Sequence, residues 1–158
     1  MRNTFEIIFE NVSEPSVDGL VNELLSHAKD IESIELSEEG TSENSDVFGR
    51  EKLTKLLLAK EALTAMIRVR RFFVNAVVLD VALVRVVKYE NTVDVDISFD
   101  IEEEKNPVSI MSSLHPYALE LASSFSVGNV YGGLEPADDC ATRYFTNLEL
   151  GPLPHSDK

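Results

Sequence analysis

Carboxylates are the one functional group this sequence holds in abundance, and Asp94, Asp96 and Asp100 fall at even spacing. In an extended chain that spacing puts all three on one face. Such a row can be a solvated sheet face or a surface for a cationic partner. If a backbone carbonyl or a further acid converged on it, it could hold a hard divalent cation; the solvated face is the simplest reading, and no metal is assigned. A second group, Glu135, Asp138 and Asp139, lies in a stretch with aromatic neighbours Tyr131, Tyr144 and Phe145. Loops held by rigid elements are where recognition concentrates, so this group reads as a partner surface with Tyr131 and Tyr144 as its apolar anchors. Arg143 offers local neutralisation of Glu135 or Asp139. Ser112 and His115 have the residue types of a nucleophile and a base, but near neighbours on one helix rarely aim side chains as acyl transfer requires. A P-loop, GxGxxG, HExxH, EF-hand and GxSxG are all missing from the sequence, so it points to no catalytic residue and no cofactor.

The charges are sorted along the chain. Residues 1–49 carry 12 acids and 2 bases, and residues 89–158 carry 13 acids and 3 bases. Between them, residues 50–88 hold 9 of the 14 Lys and Arg against Glu51, Glu61 and Asp80. The net charge of −14 favours cationic partners and opposes nucleic-acid binding. One cysteine, Cys140, excludes an internal disulfide and a multi-cysteine metal site. With no secretory pattern at the start and no apolar run long enough for a membrane helix, the expectation is a soluble, cytoplasmic protein.

The elements that must position these residues form a single domain over 1–158. Phe5, Ile7 and Phe9 alternate with Glu6 and Glu10 in a first strand whose one exception is Ile8. Val17, Leu20, Val21, Leu24, Leu25 and Ala28 recur at helical spacing behind Pro15 and Ser16. Residues 31–36 read as a short strand, and 37–46, with no apolar residue, as a mobile acidic loop. Leu, Ala, Lys and Glu over 53–66 favour a second helix. The Val-rich stretch 72–87 reads as a buried strand. Val93, Val95, Ile97, Phe99 and Ile101 alternate without exception with polar residues, and a two-residue turn at Glu90–Asn91 would set Val86 opposite Val95, Val84 opposite Ile97, Ala82 opposite Phe99 and Arg85 opposite Asp96. Asn106 and Pro107 start a helix, which Pro116 kinks or divides and Gly128 closes. Beyond it, Gly132–Gly133 reads as a turn, 144–150 as one strand and 154–158 as a flexible tail. The class is α+β: a mainly antiparallel sheet with two or three helices packed on one face.

The segment YGGLEPADDCATRYFTNLELGPL, residues 131–153, after the helix HPYALELASSF, resembles small immunity proteins encoded beside polymorphic and contact-dependent growth-inhibition toxins in bacteria. The resemblance implies a cytoplasmic α+β protein without catalytic residues that binds one cognate toxin domain. Charge agrees with it, because a nuclease toxin is cationic where it holds the phosphate backbone, and carboxylates of an inhibitor oppose that surface. The alternatives are a small-molecule-binding or enzymatic domain with a pocket near His115, and a structural adaptor forming a homodimer through Val81, Leu83 and Val87.

Overall fold

The computed structural model describes residues 3–36, 41–43, 62–102, 104–137 and 140–152. Among the described residues nine strands form one sheet in the order β3-β2-β4-β5-β6-β1-β7-β8-β9, and every neighbouring pair is antiparallel. The strands are β1 (Asn3–Val12), β2 (Ala28–Leu36), β3 (Thr41–Glu43), β4 (Ala62–Val74), β5 (Val77–Tyr89), β6 (Thr92–Ile101), β7 (Val127–Leu134), β8 (Arg143–Thr146) and β9 (Glu149–Leu150). Helix α1 (Glu14–Ser26) follows β1, and α2 (Pro107–Ser124) joins β6 to β7. Because β6 and β7 both run antiparallel to β1, they are parallel to each other, and only a crossover such as α2 can connect them.

Period-two patterning puts one apolar face on the sheet. Phe5, Ile7 and Phe9 of β1 pair with Phe99, Ile97 and Val95 of β6, and Val84 and Val86 of β5 pair with Ile97 and Val95. All are buried, in one core cluster with Leu20, Val21 and Leu24 of α1 and Met111, Leu114 and Leu121 of α2. Burying each such side chain contributes about 1.5–3 kcal/mol, so these strips dominate the stability of the fold. Lys88 stands in the same strip at 7% exposure, and its Nζ reaches Glu14 Oε1 at 3.3 Å where α1 begins. The Asn106 side chain accepts from the N–H groups of Val108 and Ser109, and α2 runs through Pro116 without dividing.

The expected turn at Glu90–Asn91 is present, with Val84 facing Ile97, Arg85 facing Asp96 and Val86 facing Val95; the register ends at Leu83 opposite Ser98. Other expectations are corrected. Residues 62–66 belong to strand β4, not to a helix: Leu63, Ala65, Ile67 and Val69 alternate inward between β2 and β5, so pairing on both sides outweighs helix-favouring composition. Residues 53–61 of that expected helix lie outside the described residues. The stretch 72–87 is a hairpin, turning at Asn75 and Ala76. Within the expected loop 37–46, Thr41–Glu43 pair with β2, and the remaining residues lie outside the described residues, as does the tail 154–158. Gly128 does not close α2, which ends at Ser124; it lies within β7. Residues 144–150 are two strands around a turn at Asn147 and Leu148.

Gly132 and Gly133 belong to β7 and form no turn. A Cβ on Gly132 would lie 2.4 Å from Phe145 Cζ, and one on Gly133 would lie 2.1 Å from the Thr142 carbonyl oxygen. Both positions therefore need glycine for close approach.

The β4–β5 hairpin bends partway along. Arg71 has φ 55°, and burial slips by one residue there, from Val69 and Ala82 to Phe72 and Leu79. Its tip is fastened to the end of α1: Phe73 N–H donates to the His27 carbonyl at 3.0 Å, and His27 Nδ1 lies 2.9 Å from the Phe73 carbonyl oxygen. β5 consequently stays with β4 along its whole length and leaves β6 beyond Leu83.

Two substitutions separate these roles. Ile97→Asp places an unpaired charge in the core and should abolish the cooperative thermal transition followed by circular dichroism. Gly133→Ala should keep the transition and lower stability by about 1–3 kcal/mol through overpacking.

Candidate functional site

Antiparallel partners share a face, so the register lines up cross-rows on the side of the sheet opposite the core. One row runs Arg85, Asp96, Ile8, Tyr131, Thr146 through β5, β6, β1, β7 and β8. The next runs Leu83, Ser98, Glu6, Gly133, Arg143. Ile8, the exception in the alternation of β1, thus fills the space between Asp96 and Tyr131.

Asp96 and Glu6 are the most deeply placed acids here, at 4% and 2% exposure. Arg85 donates to Asp96 Oδ2 from Nε at 3.0 Å and from Nη2 at 2.9 Å. Burial still pushes the Asp96 carboxyl up, to about 6, because desolvation outweighs the pull of Arg85. Burial lowers the Arg85 guanidinium's hold on its proton, but the charge and hydrogen bond of Asp96 reverse this and leave Arg85 a firmer cation. Glu6 accepts the Ala137 N–H at 2.7 Å. Its burial, reinforced by the charges of Asp96 and Glu135, raises its carboxyl above the ordinary range despite that bond.

The segment after β7 closes over this acidic centre. Glu135 N–H donates to the Thr4 carbonyl at 3.0 Å, and Ala137 is fully buried. Arg143 Nε donates to the Ala137 carbonyl at 2.8 Å and Nη1 to Thr146 Oγ1 at 3.1 Å, while its guanidinium lies 4.2 Å from the centroid of the Tyr131 ring. Burial, then a hydrogen bond with Glu10, pushes the Tyr131 phenol up, so it is a neutral donor at any physiological pH.

The remaining acids of the face are oriented by short bonds. Asp94 accepts the Asn11 N–H at 2.8 Å and the Tyr89 hydroxyl at 3.1 Å, and Asp100 accepts the Thr4 hydroxyl at 2.7 Å. Asn129 donates to Glu10 at 3.1 Å.

The structure therefore brings Asp94, Asp96, Asp100, Tyr131 and Glu135 onto one face. Asp100 and Glu135 are exposed and Asp94 is half-buried, whereas Asp96 and Tyr131 are buried within the face. Tyr144 lies apart, in the core, with its ring centroid 6.1 Å from that of Phe5. Asp138 and Asp139 lie outside the described residues. Glu6 and Glu10 were missed as members, although the alternation of β1 that marks Phe5 and Phe9 as core assigns them to this face. Such an arrangement presents acceptors and negative charge in fixed positions, suited to recognising cations by geometry. Among the described residues no three His, Cys, Asp or Glu side chains converge as a metal site would. His115 is engaged elsewhere: its ring stacks on Phe145 at 4.1 Å, and Nε2 lies 2.6 Å from the Asn147 carbonyl oxygen.

Residues 3–150 match the family model described as PABL017 Cdi1I immunity protein. The chain belongs to that family. This Cdi1I-family immunity protein is also similar to a chain in the 1.75 Å crystal structure of the toxic C-terminal tip of CdiA from Pseudomonas aeruginosa in complex with immune protein, with a TM-score of 0.88 and 36% identity, covering 98% of this chain and 100% of that one. No curated protein matches it. None of the helices among the described residues is long and apolar enough to cross a membrane.

Asp96 makes the stability of this immunity protein depend on pH. Its folded carboxyl titrates near 6 and an unfolded one near 4, so the stabilising contribution of the protonated form is complete below about pH 4 and lost as pH rises through about 6. Urea unfolding from pH 4 to 7 should show Asp96→Asn gaining about 3 kcal/mol relative to wild type across that window. A constant difference between the two would show that Asp96 ionises normally.

Proposed function

We propose that this immunity protein binds the toxic C-terminal tip of a cognate CdiA protein in the cytoplasm and neutralises it by one-to-one occlusion, without turnover. The observation that carries this is the family match over residues 3–150, joined to the likeness to a chain crystallised with a CdiA tip. The polar face supports it independently. Glu6, Glu10, Asp94, Asp96, Asp100 and Glu135 face Arg85 and Arg143, and both cations are already bonded within the face. The acid surplus fits a cationic toxin surface of the kind a nuclease uses to hold a phosphate backbone.

In this reading Asp94, Asp100, Glu135, Asp138 and Asp139 contact the toxin. Asp96 and Tyr131 hold the face in shape, and Tyr144 supports β8 from the core. Charge at the rim speeds encounter and selects the partner, while affinity depends on groups desolvated at the centre of the contact.

The test is titration calorimetry of the chain against the CdiA tip encoded beside it, at low and high salt. Wild type should bind one to one. Asp100→Lys with Glu135→Lys should weaken binding at least about tenfold, reduce its salt dependence and change stability by less than about 0.5 kcal/mol. Undiminished binding by the double variant would remove the polar face from the contact, and no binding by wild type would refute the function.

A further inference from the structure

The sheet has a gap where β5 and β6 part. β4 continues beside β5 to the turn at Asn75, and β1 continues beside β6 to Ile101, but between β5 and β6 the register ends at Leu83 opposite Ser98. Residues 77–82 and 99–101 thus each present a strand edge toward the other. Among the described residues no strand pairs with either edge. The turn at Asn75–Ala76 makes Val74 and Val77 face each other, so the N–H and C=O of Val78 point the opposite way, into the gap.

A cavity of about 370 Å³ occupies this gap. Its lining alternates between the two faces of the sheet: Val81, Ser98 and Asp100 come from the polar side, and Leu79, Phe99 and Ile101 from the core side. A pit on one face would be lined from that face alone. Lining from both faces, with unpaired edges on both walls, is the shape left by a missing strand. The gap is built in by the left-handed Arg71 and by the two contacts of His27 to Phe73, which hold the hairpin tip toward α1.

We propose that this fork is a slot for one extended segment of the CdiA toxin tip, which joins the sheet between β5 and β6. The inference rests on the toxin-binding function above and names the place where binding occurs. Three features favour a toxin segment as occupant. A chain that shares 36% identity and almost the whole length is crystallised with a CdiA tip. The slot opens on the acidic face through Asp100, so it is continuous with the proposed contact. Asp80, Asp100 and Glu102 line it with Arg68 and Lys105, and Arg68 is already bonded to Glu32 at 3.2 Å, so the mouth retains negative charge. The segment that fits alternates cationic side chains over Asp80 and Asp100 with apolar ones over Phe99 and Ile101. Main-chain bonds to both edges would supply affinity, and the side-chain alternation specificity.

Amide hydrogen exchange of the full chain, alone and saturated with the CdiA tip encoded beside it, tests the slot. The amides that point into the gap, those of Val78 and Asp100, should exchange at least about tenfold more slowly in the complex. A one-to-one complex in which these amides exchange as in the free chain would overturn the slot and leave the neutralising function standing, whereas failure to form a complex would overturn both. Protection that rises with the concentration of the chain alone, in step with a dimer mass, would give the slot to a second copy and overturn the proposal. Val78→Pro removes an edge donor without touching the bonds to β4, and Val81→Trp fills the slot from its polar side. Each should weaken toxin binding at least tenfold while the thermal transition persists, and full-affinity binding by both would overturn the proposal.

Discussion

A slip of one residue in β6 against β5 or β1 would carry Asp94, Asp96 and Asp100 into the core and Val95, Ile97 and Phe99 into water. Side chains alternate with a period of two, so every strand of the sheet has to agree on which residues face inward. The two-residue turn at Glu90–Asn91 sets this agreement for β5 and β6, and the pairing of Phe5, Ile7 and Phe9 with Phe99, Ile97 and Val95 extends it to β1. Core and acidic face are two sides of one register. The energy that fixes the carboxylates in place comes from burying the apolar residues between them.

The polar face is itself partly buried, which distinguishes it from an ordinary wet sheet surface. Glu6 lies beneath the segment that follows β7 and Asp96 lies against Arg85, both buried where a bare carboxylate is costly. Each has a specific partner, the Ala137 N–H and the Arg85 guanidinium, and both still hold protons more firmly than in water. This cost buys position: Arg143 braces the segment and covers Tyr131, and Glu135 is left facing solvent at a defined point.

The same sheet that fixes the acids gives up pairing at one end. A single left-handed residue, Arg71, and the contacts of His27 to Phe73 direct the β4–β5 tip toward the helix layer instead of along β6. Unpaired edges invite another chain, and natural proteins usually cover them. The open edge lies beside the charged face, and the slot proposed above gives both to the same partner.

Much of this was legible in the residues. Alternation over 93–102 identified β6, its turn and the pairing of Arg85 with Asp96, and the even spacing of Asp94, Asp96 and Asp100 placed them on one face, because period and parity are local properties of a chain. Residues 131–153 carried the family resemblance. Strand β4 was hidden behind helix-favouring composition, since only pairing with both β2 and β5 makes an extended chain the better state there. Strand β7 was hidden by Gly132 and Gly133, whose purpose is the approach of Phe145 and Thr142 from distant sequence. Tyr144 read as an apolar anchor for a partner and lies in the core against Phe5, because the one-residue shift between β7 and β8 at Gly132 and Gly133 changes which side chain turns inward. The sequence by itself determined the charge, the principal hairpin and the family. Which acids are buried, which remain free and where the sheet stays open depend on contacts between residues far apart in the chain, and only the tertiary structure decided them.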